Sequence, residues 1–378
     1  MSDVKIYIAD ETGNWTSFNN QFTNYTIDCR YDFVADSFSC TLVDNDADIK
    51  PGYWMHFIVD NRVEFRGIIE TKSRSISKAG RQVTISGRSK TAMLVDEYYK
   101  GTSHDYDKTT NPRAPYLIIG DLIGKTNFLV KSKATQTTFV DPYMDQSELG
   151  DMNTAFNNDL AEVLFDRVAS VKYTDEFKAA PVVAVKINPG STIWSKISAI
   201  VNETKFEVLY QDDKLLFGDL KKDRASYTDY ELNSETAIDA KLTESIAQQY
   251  STIALFSQPE YNYLTGKWYD PHAVTVTNSK LVHKKYFTSQ ASGQALNKAI
   301  KLREDQRYKG YQLTYTVVDH VAPDGRIWKI NRYCNVQDKH LDVNEKLVIY
   351  GRTFQFSSSG GTTTQLHLSI ERSNVVDL

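Results

Sequence analysis

The sequence predicts a mainly β fold with α+β insertions: two antiparallel β-barrels plus a small α/β domain. Three observations predict it. Short runs of alternating apolar and polar residues crowd residues 1–95 and return from 226 onward. Tyr is used 23 times against 9 prolines, and aromatic side chains suit half-buried strands. Between the two strand-rich stretches the pattern changes to helices and one hairpin.

In the segment 1–95, KIYIA, YTIDCRYDF, SFSCTLVD, WMHFIVD, VEFRGIIETKSRSIS and RQVTISGRS each alternate. Turn pairs separate them: Ala35-Asp36, Asn45-Asp46, Pro51-Gly52, Asp60-Asn61 and Ala79-Gly80. Short strands at this spacing predict a first small barrel.

The segment 96–225 reads as an α/β middle domain. Lys100 to Arg113 is a polar loop, and Pro115 opens a helix through Leu117, Ile118, Leu122 and Ile123. A second short helix is predicted through Leu160, Val163, Leu164 and Val168. Ser191 is placed to cap a helix with Ile193, Trp194, Ile197, Ile200 and Val201 on one face. FEVLY and KLLFGDL follow as a hairpin turning at Gln211-Asp212-Asp213.

Strands return over 226–355 as a second barrel: STIALFSQ, AVTVTN, YQLTYTVV, GRIWKINRY and KLVIYGRTFQF. A helix at 292–309 interrupts them, capped at Ser292, with Ala295, Leu296, Ala299 and Ile300 as its stripe and Gly310 as its stop. The segment 356–378 is a last strand, QLHLSIERS, and a tail. The hairpins at 76–89 and 356–373 both turn on glycine and end in Arg-Ser. Duplication of one barrel and chance likeness of two hairpins both account for that echo.

Net charge is −4, which disfavours a protein that binds nucleic acid by neutralising phosphates. MSDVKIYIADETG has no basic region followed by an apolar stretch, so no signal peptide is expected, and no membrane-spanning run appears. Cys29, Cys40 and Cys334 form no CxxC pair. Cys29 and Cys40, inside alternating strand patterns, are expected as buried small hydrophobes, in a protein folded in a reducing compartment.

The motifs that suggest chemistry read more simply as structure. Gly120-Asp121-Leu122-Ile123-Gly124-Lys125-Thr126 has three residues between its glycines where a P-loop needs four, so it is expected as a helix end. His104-Asp105-Tyr106-Asp107 has no second cluster at a ligand spacing, and His272 and His283 fit no helical metal motif. Asp212-Asp213, Asp175-Glu176 and Glu304-Asp305 are sequence neighbours, which point apart on strands and turns. Arg332-Tyr333, Lys284-Lys285-Tyr286-Phe287 and Trp268-Tyr269 can stack bases or sugars, and strand packing explains them too. No GxSxG elbow is present. No catalytic, cofactor-binding or metal-binding residue and no cofactor is assigned, and no enzymatic activity is expected.

Four stretches carry a resemblance. They are VTISGRSKTAMLVDEYY at 83–99, Trp194 through Phe217, the charged helix followed by Asp324-Gly325-Arg326-Ile327-Trp328, and the final strand with Glu371-Arg372. Their order and spacing resemble the baseplate hub proteins of Mu-like contractile-tailed phages, within the wider hub and late-control-protein family. The region 100–160 departs from the pattern in being longer and more polar.

That resemblance implies two tail-tube-like barrels in one chain, so that three copies present six barrels as a pseudo-sixfold ring. It implies a structural hub of the virion's tail baseplate, made in the host bacterial cytoplasm. The implied partners are two further copies, the tail spike protein, and the tail tube or other baseplate proteins, with DNA only passing through the lumen. A competing reading is a tail-associated peptidoglycan hydrolase or carbohydrate-binding module. A secretion system or tailocin could use the same hub architecture.

Overall fold

The structure is a computed structural model. It describes residues 2–372 except 11–14, 20, 32–34, 44–47, 78–79, 101, 107–110, 125, 127–138, 141–169, 184, 205, 213, 248, 258–259, 263–266, 270–272, 278–285 and 292–294. The helix expected through Leu160 and Val168, and the Ser292 cap, lie outside the described residues.

The first stretch folds as β1 (Val4–Ala9), β2 (Trp15–Ser17), β3 (Phe22–Arg30), β4 (Ser37–Val43), β5 (Trp54–Val59), β6 (Arg62–Ser77) and β7 (Gly80–Ser89), then helix α1 (Ala92–Asp96). Alternation sets their inner face: β7 buries Val83, Ile85 and Gly87 while the residues between stay part-exposed. Asp60 and Asn61 both take positive φ, 47° and 59°, in the two-residue turn that pairs Val59 with Arg62. Aspartate and asparagine tolerate that conformation, and its twist matches the strands it joins.

The middle holds β8 (His104–Tyr106), α2 (Pro115–Gly124), β9 (Phe139–Val140), β10 (Ser170–Tyr173), α3 (Asp175–Lys178), β11 (Val185–Ile187), α4 (Ile193–Asn202), β12 (Glu207–Gln211), β13 (Lys214–Gly218) and α5 (Leu220–Ala225). The cap of α4 is Thr192, one residue beyond the expected Ser191. Its backbone is extended, and its hydroxyl accepts from the Ser195 N–H at 3.2 Å. Ile193, Ile197, Ile200 and Val201 are buried, and with Phe177 and Phe217 they form a core separate from the main one. The β12–β13 hairpin turns at Asp212 with φ 50°.

The last stretch gives β14 (Tyr230–Asn233), β15 (Ala237–Glu244), β16 (Thr252–Ser257), β17 (Glu260–Asn262), β18 (Lys267–Tyr269), β19 (Ala273–Thr277), β20 (Tyr286–Ala291), α6 (Ala295–Gly310), β21 (Tyr311–Val318), β22 (Arg332–Asp338), β23 (Val343–Ser357) and β24 (Gly361–Ser369). The fold is mostly β.

The long strands of both stretches belong to one sheet of fourteen strands, with the order β15-β21-β24-β23-β3-β4-β7-β6-β5-β1-β2-β9 and β14-β22 branching from β23. The link is β3 against β23, antiparallel from Gly351↔Arg30 to Ser357↔Asn24. One core spans it, with Ile27, Phe38, Phe57 and Ile85 from the first stretch and Tyr315, Trp328, Ile349 and Phe354 from the last. The two strand sets expected as separate barrels therefore share a sheet and a core.

Candidate functional site

The β3–β23 seam brings together residues about 300 positions apart in sequence, and a polar cluster sits beside it. Strand β23 is long because it serves two neighbours: residues 343–349 pair with β22, and residues 351–357 pair with β3. Gly351 lies where the register against β24 shifts. A Cβ there would meet Arg30 Cδ at 2.7 Å, so a larger residue would make the Arg30 side chain shift.

One residue on, Arg352 points inward and is 4% exposed. Its Nη1 donates to Glu64 Oε2 at 2.7 Å and to the Trp328 carbonyl, and its Nη2 donates to the Glu64 carbonyl at 3.1 Å. Lys329 Nζ lies 3.0 Å from Glu64 Oε1 and 2.8 Å from Asp212 Oδ1. Glu64 belongs to β6, Asp212 to the turn of the middle hairpin, and Lys329 and Arg352 to the last stretch. Four alternating charges thus tie three segments of the chain at one point.

The environment fits that role. Burial alone would raise the Asp212 carboxyl, but Lys329, by charge and hydrogen bond, brings it below the ordinary carboxylate range. Burial disfavours the Arg352 cation, and Glu64 overrides this, so Arg352 stays charged. Asp36 lies beside the cluster and accepts from the Arg30 N–H at 3.0 Å; burial pushes its carboxyl up to about 7. Buried ion pairs cost desolvation, and they fix a geometry once every charge has a partner.

A second cluster holds the end of the chain. Arg224 of α5 donates to Asn331 Oδ1 at 3.0 Å and to Glu371 Oε1 at 2.9 Å, and Tyr333 Oη donates to the same carboxylate at 2.5 Å. The Arg372 guanidinium lies 4.0 Å from the Tyr308 ring centre and 5.2 Å from that of Tyr350. Glu371-Arg372, singled out in the sequence, thus anchors the last strand.

The other sequence motifs are not brought together. Gly120 and Gly124 lie in α2, and Lys125 is outside the described residues. His104 and Tyr106 stack within β8, while Asp107, His272 and His283 are outside the described residues. Among the described residues, no group of three His, Cys, Asp or Glu is placed to hold a metal. Arg332 packs on Tyr227 at 3.3 Å and Lys346 on Tyr333 at 4.2 Å, so these rings serve internal contacts. Trp268 and Tyr269 lie in β18, paired with β17. Asp175 and Glu176 open α3, and Glu304 is held by Arg303 and Arg307. All three cysteines are buried, and burial pushes their thiols up, which makes them weak nucleophiles.

Sequence reasoning missed Glu64, Lys329 and Arg352. The available signal was a charge at an inward position of an alternating run, as in VEFRG and YGRTFQF.

Residues 305–371, from the last turns of α6 through β24, match the family described as "Tail protein, C-terminal domain". A search of curated protein sequences returns no match. Among solved structures, the tail protein of Neisseria meningitidis MC58 superposes with TM-score 0.70 at 18% identity, covering 97% of each chain. The 43 kDa tail protein of prophage MuSo2 from Shewanella oneidensis gives 0.69 at 15%, covering 98% of each. An E. coli component of the type VI secretion system gives 0.55 at 9%, covering 93% of this chain and 74% of that one. The chain therefore has the fold of phage tail proteins, and its last strands match a tail protein C-terminal domain.

Proposed function

We propose that the chain is the structural hub of a contractile phage tail baseplate, a homotrimeric ring that joins the tail tube to the central spike and forms part of the DNA channel. The observation that carries this reading is a pair of free edges. The run β15-β21-β24-β23-β3-β4-β7-β6 contains eight strands. At one side, among the described residues, β15 pairs only with β21. At the other, β5 covers β6 only as far as residue 68, so among the described residues 70–77 have β7 alone as a neighbour.

Free edges of this length invite strand addition, and a chain that forms a ring covers them with its own copies. The edges are complementary. Lys72 and Arg74 outnumber Glu70 on one, and Asp239 and Glu244 outnumber Lys241 on the other. Each carries an exposed isoleucine: Ile76 is 81% exposed and Ile238 is 56% exposed. Three eight-strand runs would close as a wall of twenty-four. Two strand-rich stretches per chain would give such a trimer pseudo-sixfold symmetry, able to face a sixfold tube and a threefold spike. A net charge of −4 suits a lumen through which DNA passes without sticking. The likeness to a type VI secretion component supports the same architecture in an injection apparatus.

Cysteine pairing tests the edges. Ser73→Cys together with Lys241→Cys is expected to give disulfide-linked dimers and trimers under mild oxidation. Either substitution alone should give no ladder beyond a dimer. Double-variant chains that remain monomers after oxidation would count against the edge contact.

A further inference from the structure

A cleft of about 280 Å³ opens between α4, the β12–β13 hairpin and α6. One part of its wall is apolar, from Trp194, Val201, Val208 and Leu215. Another part is charged, with Lys301, Lys309 and Arg372 outnumbering Glu207 and Asp305.

These cations differ in how far their charge is already met. Arg372 lies 3.5 Å from both Glu207 and Asp305. Lys301 Nζ reaches only neutral oxygens, Asn202 Oδ1 at 3.2 Å and the Phe206 carbonyl at 3.3 Å. Among the described residues no carboxylate lies within ion-pair distance of Lys301 or Lys309. Burial lowers the Lys301 ammonium and the Asp305 and Glu207 carboxylates only partly offset it, so a further counter-ion would relieve the remaining cost. Tyr31, also on the wall, is 6% exposed, and among the described residues its buried hydroxyl has no hydrogen-bond partner. A buried hydroxyl left unmet is costly and calls for an acceptor from outside.

We propose that this cleft docks an extended peptide segment of a partner protein, setting a carboxylate against Lys301 and Tyr31 and an aliphatic side chain against Trp194. The volume admits about two side chains and excludes a folded domain. The inference rests on the assembly reading only for the source of the peptide, because an assembly component meets its partners through such segments.

Calorimetry on the full chain tests it with acetyl-Val-Asp-Leu amide as the probe. Saturable binding is expected, weakening about tenfold for the matching Val-Asn-Leu peptide. Lys301→Met should weaken it similarly, and Lys309→Met, at an exposed position that folding tolerates, should weaken it less. Equal binding of the two peptides, or full-strength binding by both variants, would overturn the proposal. So would acetate alone competing as well as the peptide, which marks an adventitious ion only. The readout does not depend on oligomeric state, so its failure leaves the ring reading to its own tests.

Discussion

Arg352 shows how much one residue can hold. Its guanidinium is the only cation between Glu64 and the Trp328 carbonyl among the described contacts, and Glu64 is 1% exposed. Arg352→Met would leave that carboxylate with Lys329 alone. Loss of a buried ion-pair partner costs about 3–5 kcal/mol. We expect a loss of that size in chemical denaturation, with Glu64→Gln in the same background recovering part of it. An Arg352→Met chain as stable as the parent would show that the cluster does not hold the seam. Buried histidines set the acid limit. Tyr25 Oη and His320 Nε2 lie 2.7 Å apart, and burial brings the His320 imidazole down to about 3 and His367 to about 4. Their ordinary value is 6.5, so below it the unfolded chain takes up protons that the folded chain refuses. Stability from these groups is present above about 6.5 and is lost as pH falls towards 4 and then 3. Asp36 acts oppositely: its contribution is full below its ordinary 3.8 and is lost as pH rises through about 7. His320 and His367, joined by the buried His56, whose imidazole burial also lowers well below the ordinary value, outweigh one aspartate between 4 and 6.5, so net stability should rise with pH there. His320→Gln should reduce that slope by about one proton, or roughly 1.4 kcal/mol per pH unit. An unchanged slope would remove His320 from the account. None of these partners is visible in sequence, because a charged or imidazole residue in an alternating run reads equally well as solvent-facing.

Elements were more legible than residues where the pattern is local. Alternation located the strands of the first stretch, and the spacing of Ile193, Ile197 and Ile200 located α4. The cap fell on Thr192 because two adjacent residues can each accept a bond, and only backbone geometry chooses between them. The seam of β3 with β23, and the parallel pairing of β14 with β22, have no local signature. Both depend on cross-strand packing between distant segments. Close approach within the β6–β7 pair gives a test. A Cβ at Gly87 would sit 1.8 Å from the Ile68 carbonyl oxygen, whereas at Gly124 it would meet nothing within 4 Å. Gly87→Ala should therefore destabilise by about 1–3 kcal/mol or more. Gly124→Ala, at a helix end, should be neutral or stabilise by up to about 1 kcal/mol. Thermal melts of the two variants side by side check the contrast, and a Gly87→Ala melt at or above the parent's would refute the packing of that pair.

At the scale of the molecule, one sheet and one core join the first and last stretches, and the middle layer is tied in through Asp212 and α5. The likeness in fold to phage tail proteins follows from that arrangement. The ring is a proposal about what the two uncovered edges do. Native mass measurement of the purified full chain tests it most directly. The account predicts a species at three times the 43.0 kDa chain mass, lost when Ile76→Lys and Ile238→Lys charge the edges. A parent chain that stays at 43.0 kDa at high concentration, alone and with tube and spike proteins, would contradict it.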